Sequence, residues 1–294
     1  MYISRLIILC FFTIFSNNSL AFLQDIETAQ LKSTGGAGVG SILLNEASIF
    51  NPASIAFHDK TSIYYSKEQV ALKNRNPDRN RKFKDSSREL FVLSDTSSQV
   101  KGGFSVEQSK VNRDERFRIT SSASSLISKS TAMGILIKYT EDDYAQSHKT
   151  FTQVDLGLTH IFRKGLSVGA LFQNPTHANR SEPVAILGIH YNLFANMDLI
   201  LDAGTTYEKK PEENTLQRLA VQLEVFGSLF LRTSQFHDKI SEIKGTSWGF
   251  SWVGPKLSLE YAYKSFEPLS NDEPSIIYED EKVIENTLAL VLVY

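Results

Sequence analysis

Cysteine is nearly absent. The chain of 294 residues holds one, Cys10. A single thiol excludes a disulfide framework and any cysteine-rich metal site. Proline is also scarce, at eight residues, while phenylalanine (19) and tyrosine (11) are plentiful, which excludes a low-hydrophobicity disordered chain. No apolar run approaches the roughly 20 residues of a membrane-spanning helix. Neither charge sign dominates: 31 basic against 33 acidic side chains give a formal charge of -2. That balance offers no electrostatic case for nucleic acid as a partner.

The first 21 residues stand apart. Arg5 precedes an apolar run over residues 6–15, followed by polar residues 16–19 and a small residue, Ala21. This is the order of a secretory signal peptide, and the run is too short for an anchor. Cleavage after Ala21 would remove Cys10.

From residue 61 onward the hydrophobic period is two. Leu257, Leu259, Tyr261 and Tyr263 share one face of their segment, and Ser258, Glu260, Ala262 and Lys264 share the other. Leu219, Val221, Leu223 and Val225 likewise oppose Arg218, Ala220, Gln222 and Glu224. A strand is the element with this period. Tight connections (residues 95–98, 162–165, 194–196, 227–228 and 254–255) alternate with longer polar ones (73–86, 108–115, 141–149, 174–183, 208–214, 237–244 and 267–282). That alternation fits an up-and-down antiparallel transmembrane β-barrel with short periplasmic turns and longer outer loops. Fourteen strands are expected, near 61–72, 86–94, 99–107, 115–126, 131–140, 150–161, 165–173, 184–193, 198–207, 216–226, 229–237, 245–253, 256–266 and 283–294, with twelve as the alternative count.

A soluble sandwich would alternate too. Three features favour lipid outside. The polar faces carry Glu107, Arg118, Lys138, Asp155, Asp198, Asp202, Arg218, Glu224, Arg232, Glu260 and Lys264, which suit a polar interior. Aromatics such as Tyr139, Tyr191, Trp248 and Trp252 recur near strand ends, as at headgroup level. Leu288, Leu290, Leu292 and the terminal Tyr294 line one face of the last segment, the form of signal read by the barrel-assembly machinery. One hairpin can be set by register: Phe226 opposite Phe230 places Val225 against Leu231 in lipid and Glu224 against Arg232 inside.

Residues 22–60 precede the barrel. Gly35, Gly36, Gly38 and Gly40 crowd one stretch, but no Lys-Ser/Thr pair follows, so a phosphate loop is not indicated. The order Gly35-Gly36-Ala37-Gly38, then Asn45-Glu46-Ala47, then Asn51-Pro52-Ala53, resembles the N-terminal signature of the outer-membrane family typified by the long-chain fatty acid transporter (FadL-like). That group includes PorV- and PorQ-like barrels of the Bacteroidetes type IX secretion system. The resemblance implies a fourteen-stranded barrel with its N-terminal segment packed inside as a plug. Gly35, Gly36, Gly38, Gly40, Asn51, Pro52 and Ala53 would then form the plug or gate, within a chain divided into residues 1–21, 22–60 and 61–294. Apolar Leu43, Leu44, Ile49 and Phe50 could pack on inward Leu136, Leu171 or Ile200.

Outer loops here are short and polar. Residues 73–85 carry six basic side chains against two acidic, and residues 267–282 six acidic against one basic. The two would share a rim, as solvated faces, mutually attracting loops or a contact with anionic lipopolysaccharide. Six histidines, His58 included, show no metal-binding spacing, and no G-x-S-x-G elbow occurs. No cofactor, metal or enzymatic role is expected. The resemblance implies passive transfer of small hydrophobic or amphipathic molecules. The alternative is a plugged barrel acting as scaffold or partner in a secretion or surface-protein complex.

Overall fold

The computed structural model describes residues 25–74, 82–111, 114–144, 147–163, 165–207, 214–269 and 281–294. Fourteen antiparallel strands close into one barrel. They are β1 (Ser62–Asn74), β2 (Lys82–Asp95), β3 (Lys101–Val111), β4 (Asp114–Ser128), β5 (Thr131–Tyr144), β6 (Ser147–Arg163), β7 (Leu166–Gln173), β8 (Val184–Phe194), β9 (Met197–Thr206), β10 (Thr215–Val225), β11 (Leu229–Asp238), β12 (Ile243–Val253), β13 (Leu257–Pro268) and β14 (Glu281–Val293). The expectation of fourteen strands holds, and twelve is excluded. Each strand pairs with its sequence neighbours, and β1 pairs with β14 from Ser62 opposite Val293 to Asn74 opposite Glu281. Closure leaves no sheet edge unpaired, the condition for a sheet in hydrocarbon. Most of the strongly charged outer loops at 75–81 and 270–280 lie outside the described residues.

The two faces separate as their period dictates. Leu187, Ile137, Leu156, Leu219 and Leu288 point outward and are exposed, as are Trp248 and Trp252. Trp248 stacks on Tyr263 with 5.7 Å between centroids. Of the residues expected to form an assembly signal, Leu288, Leu290 and Leu292 face outward, and the Tyr294 backbone N–H donates to the Thr61 carbonyl at 2.9 Å. Glu107, Arg118, Lys138, Asp155, Asp202, Arg232, Glu260 and Lys264 are buried within. An apolar outer wall around a charged interior belongs in lipid, because water would not tolerate that belt as a free surface.

The β10–β11 register needs correction. Glu224 lies opposite Phe230, and Arg232 lies opposite Gln222, not Glu224. The sequence-based pairing was two residues off. Phe226 is not a strand residue but the first of a three-residue turn, with φ of 56° there and 71° at Gly227. A two-residue slip leaves every side chain on its correct face, so alternation alone cannot detect it. Arg232 Nε instead donates to Gln222 Oε1 at 2.6 Å, and its Nη1 to Ser251 Oγ at 2.6 Å.

Candidate functional site

Residues 25–60 fill the lumen, largely as turns and short helices. Helix α1 (Ala29–Ser33) starts at Thr28, whose Oγ1 accepts from the Leu31 N–H at 3.1 Å. It ends on two glycines. Gly35 and Gly36 both have positive φ, the Gly36 N–H donates to the Leu31 carbonyl at 2.8 Å, and the Gly35 N–H to the Lys32 carbonyl at 2.9 Å. This is the Schellman stop, which needs a left-handed residue that glycine supplies without strain. Two 3-10 turns follow, η1 (Glu46–Ser48) and η2 (Pro52–Phe57). Asn51 caps η2 by accepting from the Ala53 N–H at 3.2 Å, and Pro52 opens it. The Asn51 amide also donates to the Val39 carbonyl at 2.7 Å and to Thr159 Oγ1 at 3.2 Å. Ala53 packs against Ala56 and Ala132 of β5.

The remaining glycines serve contact with the wall. Asp202 of β9 accepts from the Gly38 N–H at 2.8 Å and from the Val39 N–H at 3.1 Å. Gly40 abuts Gly188 so closely that a Cβ on it would stand 2.6 Å from the Gly188 carbonyl oxygen. The wall answers with glycines of its own. Gly134 pairs with Gly157 across β5 and β6, and Gly169 with Gly188 across β7 and β8. A Cβ on Gly169 would meet the Val39 carbonyl oxygen at 1.9 Å, and one on Gly157 would meet Asn51 Oδ1 at 2.2 Å. This glycine track was not anticipated from the sequence. Its signal was there: four inward positions on consecutive strands, all glycine.

Ion pairs tie the plug to other strands. Lys32 sits buried among Glu68 of β1, which it contacts directly, and Glu285 of β14 at 2.9 Å. Arg88 of β2 completes the group, 2.8 Å from Glu68 and 2.9 Å from Glu285. Burial would lower the Lys32 pKa, but the two carboxylates outweigh it and hold the ammonium above its ordinary range. Asp25 contacts Arg118 at 2.7 Å. Desolvation within the lumen would raise its pKa, though the side chain stays 54% exposed, and Arg118, Lys138 and Arg116 together keep the carboxyl well below the usual range. Lys264 binds Glu27 at 2.8 Å, and Arg218 donates to the Gly36 carbonyl at 2.7 Å. Thus, of the interior charges singled out from sequence, Arg218 and Lys264 grip the plug, whereas Arg232 bonds within the wall to Gln222 and Ser251.

Above the plug lies a cavity of about 320 Å³. Its apolar lining includes Leu31, Ile49 and Phe50 from the plug, Ile186 and Leu216 from the wall, and Ile240 from the β11–β12 turn. Phe50 packs with Leu171, as the sequence suggested, whereas Ile200 packs with Ala37 and Ala220 instead. Charged Asp25, Glu27, Lys138, Arg218, Asp238 and Lys264 also line it. Below it Ala37, Val39, Ala47, Ala53 and Ile55 are almost wholly buried, so the plug blocks the short-turn end. A second hollow, about 650 Å³, opens on the outer face of β8–β11, with Gly188, Asp202 and Arg218 among its lining residues. Only one sheet separates it from the plug. Among the described residues no group of three or more His, Cys, Asp and Glu side chains could hold a metal ion.

No protein-family profile and no curated protein matches the sequence. Solved structures do match the fold. The CymD monoaromatic hydrocarbon channel aligns with a TM-score of 0.70 at 10% identity, over 90% of this chain and 96% of that one. The Ralstonia pickettii toluene transporter TbuX gives 0.67 at 8% identity, over 92% and 99%. The Pseudomonas putida toluene transporter TodX gives 0.64 at 8% identity, over 92% and 98%. At such identities the likeness is one of fold: this chain is built as a plugged fourteen-stranded barrel similar to these hydrocarbon channels.

Proposed function

We propose that this chain is an outer-membrane barrel that passively transfers small hydrophobic or amphipathic molecules, with residues 25–60 as its gate. The observation that carries this reading is the cavity above the plug. Its lining mixes apolar and charged side chains, which suits an amphipathic molecule, and its volume is at the lower end of ligand pockets. The lining is shared between plug and wall, so an occupant would touch Leu31 and Phe50 directly. That gives ligand binding a physical route to the plug. Similarity in fold to channels named for monoaromatic hydrocarbons and toluene makes simple aromatics the first probes.

The test is saturable binding of a fluorescent naphthylamine and of toluene as competitor, using purified protein in detergent. Ile186→Trp, which would fill the cavity, should weaken probe binding at least tenfold while the barrel stays folded. Absence of saturable binding to the unmodified protein would sink the transfer reading.

A second reading has its own support. The wall ladder is continuous from strand to strand, and the plug is held by buried ion pairs. A permanently plugged barrel could serve as a scaffold in a secretion or surface-protein complex, as the sequence resemblance to type IX secretion barrels implies. Mild-detergent co-purification from native membranes separates the two. A stoichiometric protein partner without bound ligand favours the scaffold, and a lone barrel carrying a defined hydrophobic molecule favours transfer.

A further inference from the structure

Among the described residues, the lipid-facing belt has one charged interruption away from the strand ends. Counting outward positions from the short-turn end, β5 reads Met133, Ile135, Ile137 and Tyr139, and β10 reads Val225, Leu223, Val221 and Leu219. On β1 the same count gives Ile63, Tyr65, Lys67 and Gln69, and on β2 it gives Leu93, Phe91, Glu89 and Ser87. Lys67 and Glu89 face each other across the two strands, 3.0 Å apart, with their side chains 55% and 42% exposed. Among the described residues, the other outward-facing charges on the wall, such as Glu115, Glu141, Lys244 and Glu267, sit near the outer strand ends. Gln108 of β3 lies beside Glu89 and extends the polar patch on that side, while on β14 Leu288 lies beside Lys67 and Asn286 beside Gln69.

Charges at that depth are costly against acyl chains. The cost is removed if the patch meets a polar surface of opposite sign at the same height. We infer that the wall around Lys67 and Glu89 is an interface between two copies of this chain. The arrangement is self-complementary. A two-fold axis along the membrane normal, passing between β1 and β2, brings Lys67 of one copy to Glu89 of the other and the reverse. That is the requirement of an isologous contact. The four charges then alternate in sign around the axis. Tyr65 and Phe91, directly paired just below them, would form the apolar centre of the contact. Lipopolysaccharide fits less well, because Glu89 would repel the phosphates that Lys67 attracted.

The lone Cys10, within the predicted signal peptide, makes cysteine cross-linking clean. Gln69→Cys, in otherwise unchanged protein in its native outer membrane, should give a disulfide-linked species of twice the chain mass on mild oxidation. Leu201→Cys, on the far wall, should not. Adding Lys67→Glu or Glu89→Lys to the Gln69→Cys chain should each reduce the cross-link at least fivefold, since like charges then meet at the axis. Co-expressing these two charge variants should restore it as a mixed dimer, a result that a merely structural role for the pair would not produce. Three outcomes overturn the inference: Gln69→Cys cross-linking no better than Leu201→Cys, a product whose mass identifies a different protein, or no recovery on co-expression of folded variants.

Discussion

Replacing Asp202 with alanine should loosen the plug at one point. The carboxylate of Asp202 is buried and accepts both the Gly38 and the Val39 N–H. Bonds to a charged acceptor contribute about 1.5–3 kcal/mol each, and a buried N–H left without a partner costs about 1–3 kcal/mol. Two are lost together, but water entering the space left by the side chain recovers part. A net cost of about 2–4 kcal/mol to the docked state of residues 37–41 follows, which raises its open population about 30- to 1,000-fold. Hydrogen exchange read by mass spectrometry reports this directly. Peptides covering residues 37–41 should exchange faster by that factor, while β9 and β10 peptides should not change. Asp202→Asn keeps an acceptor oxygen and should fall between the two. If exchange at 37–41 rises less than threefold, Asp202 is not a tether. If the strands accelerate equally, it supports the barrel and not the plug.

Gly169→Ala should displace the same segment by sterics, because its Cβ would stand 1.9 Å from the Val39 carbonyl oxygen, and overpacking costs about 1–3 kcal/mol. Labelling of a cysteine placed at Ser41 should accelerate at least tenfold, with heat-modifiable mobility of the barrel unchanged. Lys32→Met leaves Glu68 and Glu285 sharing Arg88 as their cation within that group, and breaking a buried pair costs about 3–5 kcal/mol. The gel-shift unfolding temperature should drop, and Lys32→Met with Glu285→Gln should recover part of the loss. His58, just before β1, has its pKa lowered to about 4 by burial and then by Lys101. Its neutral form is favoured in the fold, so its contribution is complete above about pH 6.5 and is lost as pH falls towards 4, at up to roughly 1.4 kcal/mol per pH unit. Exchange at residues 55–60 should rise through that window, and His58→Gln should flatten the response.

Alternation reached far in this chain because a membrane barrel repeats one rule on every strand. Each of the fourteen expected segments overlaps an observed strand, and Leu136, Leu171 and Ile200 are buried inside as expected. Parity was its limit. It set which face Arg232 occupies but not that Gln222 stands opposite, since the Phe226–Gly227 turn geometry fixes that. Local chemistry was legible in the plug as well: Asn51-Pro52 marks a capped turn, and Gly35-Gly36 ends a helix. The Lys32 site was not. Its partners lie 36 positions away at Glu68 and near the far end of the chain at Glu285, and only barrel closure brings β1 beside β14.

The ties also constrain how any gate could work. Wholesale ejection of residues 25–60 would remove Lys32 from Glu68 and Glu285, Lys264 from Glu27, and Asp202 from its two N–H donors at once. Each buried carboxylate left behind would have to be rehydrated, and the summed cost exceeds what a small apolar ligand can return on binding. Local displacement is cheaper. Ile42, Leu43 and Leu44 are only half-buried and lie between the Asp202 anchor and the Asn51 cap. Ile49 and Phe50 border the cavity and lead into that cap. A ligand pressing on Phe50 would therefore act on the stretch between two anchors, and a passage past residues 42–50 could open while Lys32 stays bound. The hydrogen-exchange experiment distinguishes these routes: a ligand that opens a gate here should deprotect residues 42–50 and leave residues 29–33 protected.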